Sequence, residues 1–363
     1  MAATLTIRGL RARPADVPLK RPVQTSGGLV GSAPLVLIDV LTEEGVTGRS
    51  YLFCYTPLAL KPVVELLHAL ATLITGDPLA PFDVERKLQR RFTLLGSQGL
   101  AGMAIAGVDM ACWDALAVAA GLPLPRLLGG TPRPVPVYNS GGLGLIGAQR
   151  APGEAQALCA GGFRAIKVRL GYPTLAEDLE VVRVVRKAIP EGILLMSDYN
   201  QSLSVTEALR RGAALAGEGL AWIEEPTRAD DYAGHARIAR ELATPIQIGE
   251  SFWGPHDMEK ALAAGGCDYV MPDVMKIGGV TGWLRAAALA EPLGLPMSSH
   301  LFPEVSAQLL AVTPTAHWLE YVDWADAVLV EPLRLADGRT VPRETPGLGL
   351  EWDEAAVARV LVA

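Results

Sequence analysis

Seven short apolar runs in the chain each lead to an ionisable side chain, and one run follows the next after roughly 20 to 31 residues. The runs are 165–169, 194–198, 220–224, 246–250, 269–273, 295–300 and 318–320. A buried parallel strand followed by a helix occupies about that length. Residues 135–138 form a similar run ahead of them, so the pattern provides eight strands, enough to close into a barrel.

The segments between these runs have helical periodicity. Apolar and polar faces alternate at the helix period in 178–189, 205–216, 233–242, 258–264, 283–293 and 305–312. Strands that alternate with helices are typical of a parallel α/β sheet. The sequence therefore predicts an α/β barrel over residues 131–330, with the carboxyl ends of its strands gathered in one ring.

The first part of the chain has a different pattern. Residues 5–53 are extended, and the runs 35–38 and 47–53 flank Glu44-Gly45, which predicts a hairpin. Helical periodicity follows in 58–74, 83–92 and 99–120. Strands followed by segregated helices predict an α+β domain over residues 1–130, ending in a Gly- and Pro-rich boundary. Residues 331–363 have no regular pattern, and we expect them to pack back onto this first domain.

Composition narrows the classes of partner. The 363 residues carry a net charge of -7 without a basic block, so we expect neither nucleic acid nor a membrane surface as partner. The longest nearly uncharged stretch is taken as 115–130, which contains Arg126, so no membrane span is expected. Residues 1–13 show no secretion signal. Widely spaced cysteines predict buried, reduced thiols in a cytoplasmic protein; they are Cys54, Cys112, Cys159 and Cys267.

Three carboxylates end three successive strands of the predicted barrel. Asp198, Glu224 and Glu250 are each 26 positions after the one before, which places them side by side at one mouth. Three such anions repel one another without a counter-charge, and Mg²⁺ suits oxygen ligands with room left for water and substrate. The alternative is that each acid caps a helix or pairs with a cation. Strand alternation favours Glu224 facing inward, and it predicts that Glu225 is an ion-pair partner outside the ring.

The remaining strand ends predict acid and base groups. Asp273 and His300 end neighbouring strands, so the carboxylate can hold one imidazole nitrogen and leave the other facing the centre as a general base. Glu320, if protonated, can donate a hydrogen bond to a developing oxyanion. A buried salt bridge is the alternative for Glu320.

Long dispersed stretches of the chain resemble the enolase superfamily, and within it the mandelate racemase group. They include "APLVLID", "SYLFCYTP", "DMACWDAL", "DYNQSL", "WIEEPT", "MPDVMKIGGVTGW", "GLPMSSHLF" and "TPTAHWLE". The resemblance implies an N-terminal capping domain, a (β/α)7β modified TIM barrel, one essential Mg²⁺ and a homo-oligomer. It implies Asp198, Glu224 and Glu250 as metal ligands, Lys167 beside the substrate carboxylate, His300 with Asp273 as the base on one face, and Glu320 as the electrophilic acid. Asn200 and Ser140 match polar residues of that site.

One position departs from the pattern of the group. Where the racemases carry Lys-x-Lys, with the second lysine as base for the opposite face, this chain has Lys167-Val168-Arg169. A guanidinium has a pKa above about 12.5, too high for a base near neutral pH, and it suits a fixed cation or bidentate donor instead. The substitution puts racemisation in doubt, unless Lys167 takes over as the second base.

The resemblance also concerns the substrate's side chain. A glycine-rich loop over 21–30 is expected to close over the site, and seven residues match an apolar pocket: Val23, Val30, Phe53, Tyr55, Leu94, Leu301 and Val322. An apolar lining favours an aryl or alkyl group, because buried hydroxyl groups need partners. Ordinary packing between domains is the alternative.

The resulting hypothesis is removal of the α-proton of a small 2-hydroxy carboxylate by a Mg²⁺-dependent enzyme, through an enediolate. Three outcomes stay open at this point. The enzyme can be a mandelate racemase-like racemase or epimerase, an acid-sugar dehydratase with His300 as sole base, or a catalytically silent protein that binds metal and carboxylate.

Overall fold

A computed structural model describes residues 4–362 of the chain. Residues 1–3 and 363, which begin the predicted first domain and end the predicted C-terminal segment, lie outside the described residues. The N-terminal part is a three-stranded antiparallel sheet followed by helices. Its elements are β1 (Ile7–Thr25), β2 (Gly28–Thr42), β3 (Thr47–Phe53), α1 (Leu60–Ile74), α2 (Pro81–Arg91), α3 (Leu100–Ala120) and the short α4 (Leu124–Leu127).

Helix α3 packs between the sheet and the rest of the protein. It contacts the sheet closely because Gly48 on β3 has no side chain: a Cβ there would lie 2.0 Å from the carbonyl oxygen of Ala111. The predicted β2–β3 hairpin is confirmed, with Leu41 paired to Thr47. The segment 21–30, expected as a loop, is instead an antiparallel hairpin of β1 and β2, with Val23 paired to Val30.

The second part is the barrel, in which parallel strands alternate with helices. Its strands are β4 (Val135–Asn139), β5 (Ala165–Arg169), β6 (Leu194–Asp198), β7 (Leu220–Glu224), β8 (Ile246–Ile248), β9 (Tyr269–Val270) and β10 (Leu319–Tyr321). Its helices are α5 (Gly147–Cys159), α6 (Leu175–Ala188), α7 (Val205–Leu215), α8 (Tyr232–Glu241), α9 (Pro255–Ala263), α10 (Gly279–Ala290) and α11 (Pro303–Leu310). The strand order β10-β4-β5-β6-β7-β8-β9 confirms the predicted modified TIM barrel.

Two details of the barrel differ from the prediction. Residues 295–300 do not form a regular strand; single parallel bridges from Met297 to Val270 and to Ala316 close the barrel there. Helix α5 was not predicted, because its helix period is interrupted by Pro152 and its apolar face is small. Below the mouth, the interior is filled by Tyr138, Met196 and Trp222, so the barrel has a packed core.

The C-terminal segment returns to the N-terminal sheet, as expected. The indole Nε1 of Trp352 donates to Asp39 on β2 (2.9 Å), and the backbone N–H of Leu348 donates to Asp114 on α3 (2.5 Å). The segment is more regular than expected, because it contains β11 (Arg339–Thr340), which pairs with β4, and α12 (Glu354–Val360).

Two helical stretches, Pro57–Ile74 and Leu100–Ala120, are long and apolar enough by composition to cross a membrane, so residues 115–130 are not the best candidate stretch that the sequence offers. In the fold, 78% of the apolar window of Leu100–Ala120 is buried inside the protein. All four cysteines carry free thiols; Cys54 and Cys112 are buried as predicted, whereas Cys159 and Cys267 are half-buried.

Candidate active site

The carboxyl ends of the barrel strands surround one cavity of about 340 Å³ beneath the β1–β2 hairpin. Its charged and polar lining comes from the barrel: Lys167, Arg169, Asp198, Asn200, Glu250, His300 and Glu320. The hairpin closes the other side through Thr25, Gly27, Gly28, Leu29 and Val30. The Ser26 hydroxyl donates to the backbone carbonyls of Tyr199 (3.1 Å) and Asn200 (3.2 Å), which ties the hairpin to the barrel.

Asp198, Glu224 and Glu250 form the carboxylate cluster predicted from the strand spacing. They offer one oxygen each, and these oxygens lie within 4.8 Å of one another. Asp198 and Glu224 end β6 and β7, whereas Glu250 follows β8 in a turn at Gly249, whose φ is +138. A Cβ at Gly249 would lie 2.9 Å from the Met271 nitrogen, so only glycine permits the turn that brings Glu250 to the cluster.

The cluster fits a hard divalent cation. Burial and the neighbouring carboxylates raise the pKa of Glu224 to about 8, although Lys167 opposes this shift. A cation among the three carboxylates would favour their ionised forms, and Mg²⁺ prefers such oxygen ligands. Further donors orient the ligands: Asn200 donates to Asp198 (2.9 Å), and Trp222 donates to the second oxygen of Glu224 (3.1 Å).

Lys167 lies at the base of the cavity with its ammonium among carboxylates. Its Nζ is 2.5 Å from Glu224, 2.8 Å from Glu320 and 3.3 Å from Asp198. Burial disfavours the charged lysine, but these carboxylates outweigh burial and hold the pKa of Lys167 well above its usual value. This environment maintains a fixed positive charge, as expected for a residue beside a substrate carboxylate.

His300 and Asp273 form the predicted pair. Nδ1 of His300 lies 2.8 Å from Oδ2 of Asp273, and Nε2 faces the cavity, 3.3 Å from Glu250. Burial lowers the pKa of His300, but Glu250, Glu320 and the bond with Asp273 outweigh it and raise the pKa to about 9. The second oxygen of Asp273 accepts the backbone N–H of Met275 and Lys276, which fixes the carboxylate against rotation.

The environment of Glu320 differs from the protonated acid that the sequence predicted. Its carboxylate contacts Lys167 and accepts the backbone N–H of Leu301 (2.9 Å). Burial raises the pKa of Glu320, but the opposite effect of Lys167 and His300 is larger, so the pKa falls well below its usual range. The structure therefore supports the alternative of a buried salt bridge, because both contacts favour the ionised form.

Arg169 lines the cavity with its guanidinium held by the end of β4. One terminal nitrogen donates to the carbonyls of Gly142 (2.6 Å) and Ser140 (3.0 Å), and the other donates to the Ser140 hydroxyl (3.0 Å). Ser140 itself does not line the cavity and acts on this arginine. The Nε of Arg169 is buried and has no hydrogen-bond partner among the described residues.

The predicted apolar pocket is present in part. Phe53, Tyr55, Val30 and Leu301 line the cavity, and Val322 lies behind it with Phe53 and Leu301. Val23 does not line the cavity, because its side chain is buried in the hairpin. The prediction for Leu94 is wrong: its side chain is fully exposed between α2 and α3 and does not reach the cavity.

Three residues near the site were not found from the sequence. Trp324 completes an aromatic wall, with its ring centroid 5.0 Å from Phe53. Gln247 lies on β8 and contacts Glu224, because the strand register pairs these two residues on one face of the sheet. Lys276 follows Asp273 in the loop before α10 and extends under Tyr55. No sequence signal marks the contacts of Trp324 or Lys276, because their partners are distant in the chain.

The predicted ion pair of Glu225 is wrong. This side chain is buried, and it makes no ion pair within 4.0 Å among residues 4–362. One of its oxygens has no hydrogen-bond partner among these residues. Its backbone has φ 37, in the left-handed region. Burial therefore raises the pKa of the Glu225 carboxyl well above its usual value.

Comparisons with known proteins agree with this architecture. Residues 7–129 match the mandelate racemase / muconate lactonizing enzyme N-terminal domain, and residues 151–356 match the enolase C-terminal domain-like family. An enolase from Bradyrhizobium, solved with magnesium and mandelic acid, is 47% identical, has a TM-score of 0.96 and covers 100% of both chains. The predicted cofactor, Mg²⁺, is the ion bound by this similar protein.

Two curated relatives are similar over most of their length. The 3,6-anhydro-alpha-L-galactonate cycloisomerase of Streptomyces coelicolor is 32% identical over 95% of this chain and 97% of its own. The L-talarate/galactarate dehydratase of Salmonella typhimurium is 31% identical over 94% of this chain and 88% of its own. The chain is therefore an enzyme of the mandelate racemase/muconate lactonizing enzyme family, within the enolase superfamily.

Proposed function

We propose that this protein is a Mg²⁺-dependent enzyme that removes the α-proton of a 2-hydroxy carboxylate with an aryl or apolar side chain, and that His300 is the base. The observation that carries this proposal is the joint lining of one cavity by a carboxylate cluster, a carboxylate-bound histidine and an aromatic wall. No other described cavity combines these groups.

The proposed ligands of Mg²⁺ are Asp198, Glu224 and Glu250. When bound, the ion supplies positive charge that stabilises the negative charge of the deprotonated substrate. Lys167 supplies a second, fixed positive charge at the base of the cavity, where the substrate carboxylate is expected. Glu250 favours protonated His300, and coordination of the ion by Glu250 would weaken this effect on the proposed base.

The proposed proton transfer is from the α-carbon of the substrate to Nε2 of His300. Asp273 holds the opposite ring nitrogen and so keeps Nε2 free to accept a proton. Loss of the proton leaves the electron pair on the substrate as an enediolate. Return of the proton from His300 to the same face restores the substrate without inversion.

Arg169 decides the stereochemical outcome of this proposal. A racemase needs a base on the opposite face, and a guanidinium group is a poor base because it holds its proton very strongly. The hydrogen bonds to Ser140 and Gly142 fix Arg169 as a donor. We therefore infer proton exchange from one face, with Arg169 orienting the substrate, ahead of racemisation.

The aromatic wall supports an apolar substrate side chain. Phe53 packs against Tyr55 and Trp324, with ring centroids 4.6 and 5.0 Å away, and Leu29, Val30 and Leu301 line the same cavity. An aryl group fills such a wall, whereas several hydroxyl groups would lose their hydrogen bonds there. The mandelic acid bound by the Bradyrhizobium protein has a substituent of this kind.

An acid-sugar dehydratase is the second candidate. It is favoured by the similarity to the L-talarate/galactarate dehydratase, and a single base also suffices for loss of a β-hydroxyl group. Arg169 and Asn200 would then bind hydroxyl or carboxylate oxygens of the sugar acid.

Incubation in D₂O with Mg²⁺ separates these functions. Each enantiomer of mandelate and a panel of acid sugars is followed by NMR for deuterium uptake and by chiral chromatography for inversion. We expect deuterium in one enantiomer only, without inversion, and no uptake by His300→Asn. Inversion would identify a racemase, and a keto-acid from a sugar acid would identify a dehydratase. Binding without exchange would contradict the proposed chemistry and leave a silent homologue.

A further inference from the structure

Lys276 lies outside the cavity, between the N-terminal part and the barrel. Its Nζ is 4.6 Å from the ring centroid of Tyr55 and 5.9 Å from that of Trp253. Tyr55 follows β3, whereas Trp253 lies in the barrel loop after β8. Lys276 makes no ion pair within 4.0 Å among residues 4–362, although the buried Glu225 carboxylate interacts with it electrostatically from farther away. Both distances are within the range of a cation–π interaction.

The backbone of Lys276 is fixed by the catalytic loop. Its N–H donates to Oδ1 of Asp273 (3.1 Å), and its carbonyl accepts the N–H of Gly254 (3.0 Å). The other oxygen of Asp273 is bound to His300. The Asp273 carboxylate therefore holds both the proposed base and the backbone of Lys276.

Tyr55 needs such support. It is the partly exposed edge of the aromatic wall, with 42% of its surface accessible. Its φ of 58 lies in the left-handed region, which is unfavourable for a residue with a Cβ.

We propose that Lys276 is a positioning residue, which holds Tyr55 over the substrate cavity by a cation–π contact and links this lid residue to the Asp273–His300 pair. The inference deepens the proposed function, and the part that concerns the substrate rests on that function. Lys276 does not touch the reacting atoms; it determines whether the aromatic wall is formed when the substrate's aryl group binds.

The first test measures the free protein, independently of any substrate. Hydrogen–deuterium exchange of peptides covering residues 53–57 is compared in wild type, Lys276→Met and Lys276→Arg. Lys276→Met keeps the aliphatic stem and loses the charge, so we expect exchange roughly 3- to 30-fold faster. Lys276→Arg keeps a cation that stacks on aromatic rings, so we expect its exchange rate to be close to that of wild type. Lys61→Met, at an exposed position on α1, is the matched control and leaves exchange unchanged.

The second test measures mandelate binding by calorimetry in Mg²⁺, in a double-variant cycle with Tyr55→Leu. We expect Lys276→Met and Tyr55→Leu each to weaken binding, by a similar factor of roughly 3 to 30, and the double variant to be no weaker than the single ones. KM for mandelate should rise in Lys276→Met while kcat for exchange changes less.

The outcomes separate this inference from the proposed function. Two results overturn the role of Lys276. One is that the two substitutions weaken mandelate binding independently, so that their factors multiply. The other is that backbone hydrogen–deuterium exchange of residues 53–57 is unchanged in Lys276→Met. If wild type does not bind mandelate, the proposed substrate class fails, and the exchange measurement alone decides whether Lys276 holds Tyr55.

Discussion

Asp273 binds His300 with one oxygen and the backbone of its own loop with the other. The 2.8 Å contact from Oδ2 to Nδ1 fixes the ring, while Oδ1 accepts the N–H of Met275 (2.8 Å) and Lys276 (3.1 Å). The carboxylate cannot rotate away without losing three hydrogen bonds, so the imidazole is held with Nε2 toward the cavity.

Asp273→Asn should therefore slow exchange of the substrate's α-proton without changing the fold. An amide oriented by the same loop offers Nδ1 either a donor or a weaker acceptor, so the tautomer with a basic Nε2 is no longer favoured. We expect kcat to fall roughly 10²- to 10⁴-fold, measured as deuterium uptake in D₂O, with mandelate affinity little changed. A rate within about threefold of wild type would show that His300 does not depend on this bond.

Removal of the metal should abolish exchange and lower thermal stability. Binding of Mg²⁺ to the folded state stabilises it by about 2.7 kcal/mol at one hundred times the Kd, so the unfolding midpoint should rise with Mg²⁺ concentration. In Glu224→Gln the rise should be smaller, since the cluster loses one ligand charge. Glu291→Gln, at an exposed position after α10, is the control and should respond as wild type does.

Arg169→Lys should introduce inversion. A lysine has an ordinary pKa near 10.4, which the adjacent cation of Lys167 can lower, so that it acts as a base on the second face. Chiral chromatography of mandelate should then detect the opposite enantiomer, whereas Arg169→Met should give none. Inversion by wild type at a comparable rate would refute the single-face proposal. Ser140→Ala tests the hydrogen-bond support of Arg169 separately.

Asp109 on α3 should make stability fall as pH rises. Burial raises its pKa to about 7, although Thr281 at the start of α10 donates two hydrogen bonds to it. The folded state therefore binds a proton that the unfolded state, near 3.8, has released. Protonated Asp109 therefore contributes to the stability of the folded state fully below about pH 4, and this contribution is lost progressively as the pH rises through about 7.

Asp109→Asn removes this titration, so the variant should lose less stability than wild type between pH 5 and pH 8. The difference is at most a few kcal/mol, at about 1.4 kcal/mol per pKa unit. Thermal unfolding midpoints at the two pH values measure it, and Asp337→Asn, in an exposed turn, is the control. An equal pH response of wild type and Asp109→Asn would contradict the assignment to Asp109.

The sequence by itself determined the barrel and the ring of site residues. Strand alternation has a period of two, and parallel strands all end at one edge. The positions of Lys167, Asp198, Glu224 and His300 were therefore predictable from spacing alone. The β2–β3 hairpin was equally local, because Glu44-Gly45 lies directly between its strands.

Only the tertiary structure decided which partners these side chains have. Glu320 is ionised because Lys167, two strands away in the barrel, contacts it, and Leu94 is outside the cavity because its side chain is fully exposed. Trp324 and Lys276 contact Phe53 and Tyr55 across more than 200 positions of sequence. Such contacts depend on how the two parts of the chain pack and on side-chain rotamers, and neither leaves a periodic signal in the sequence.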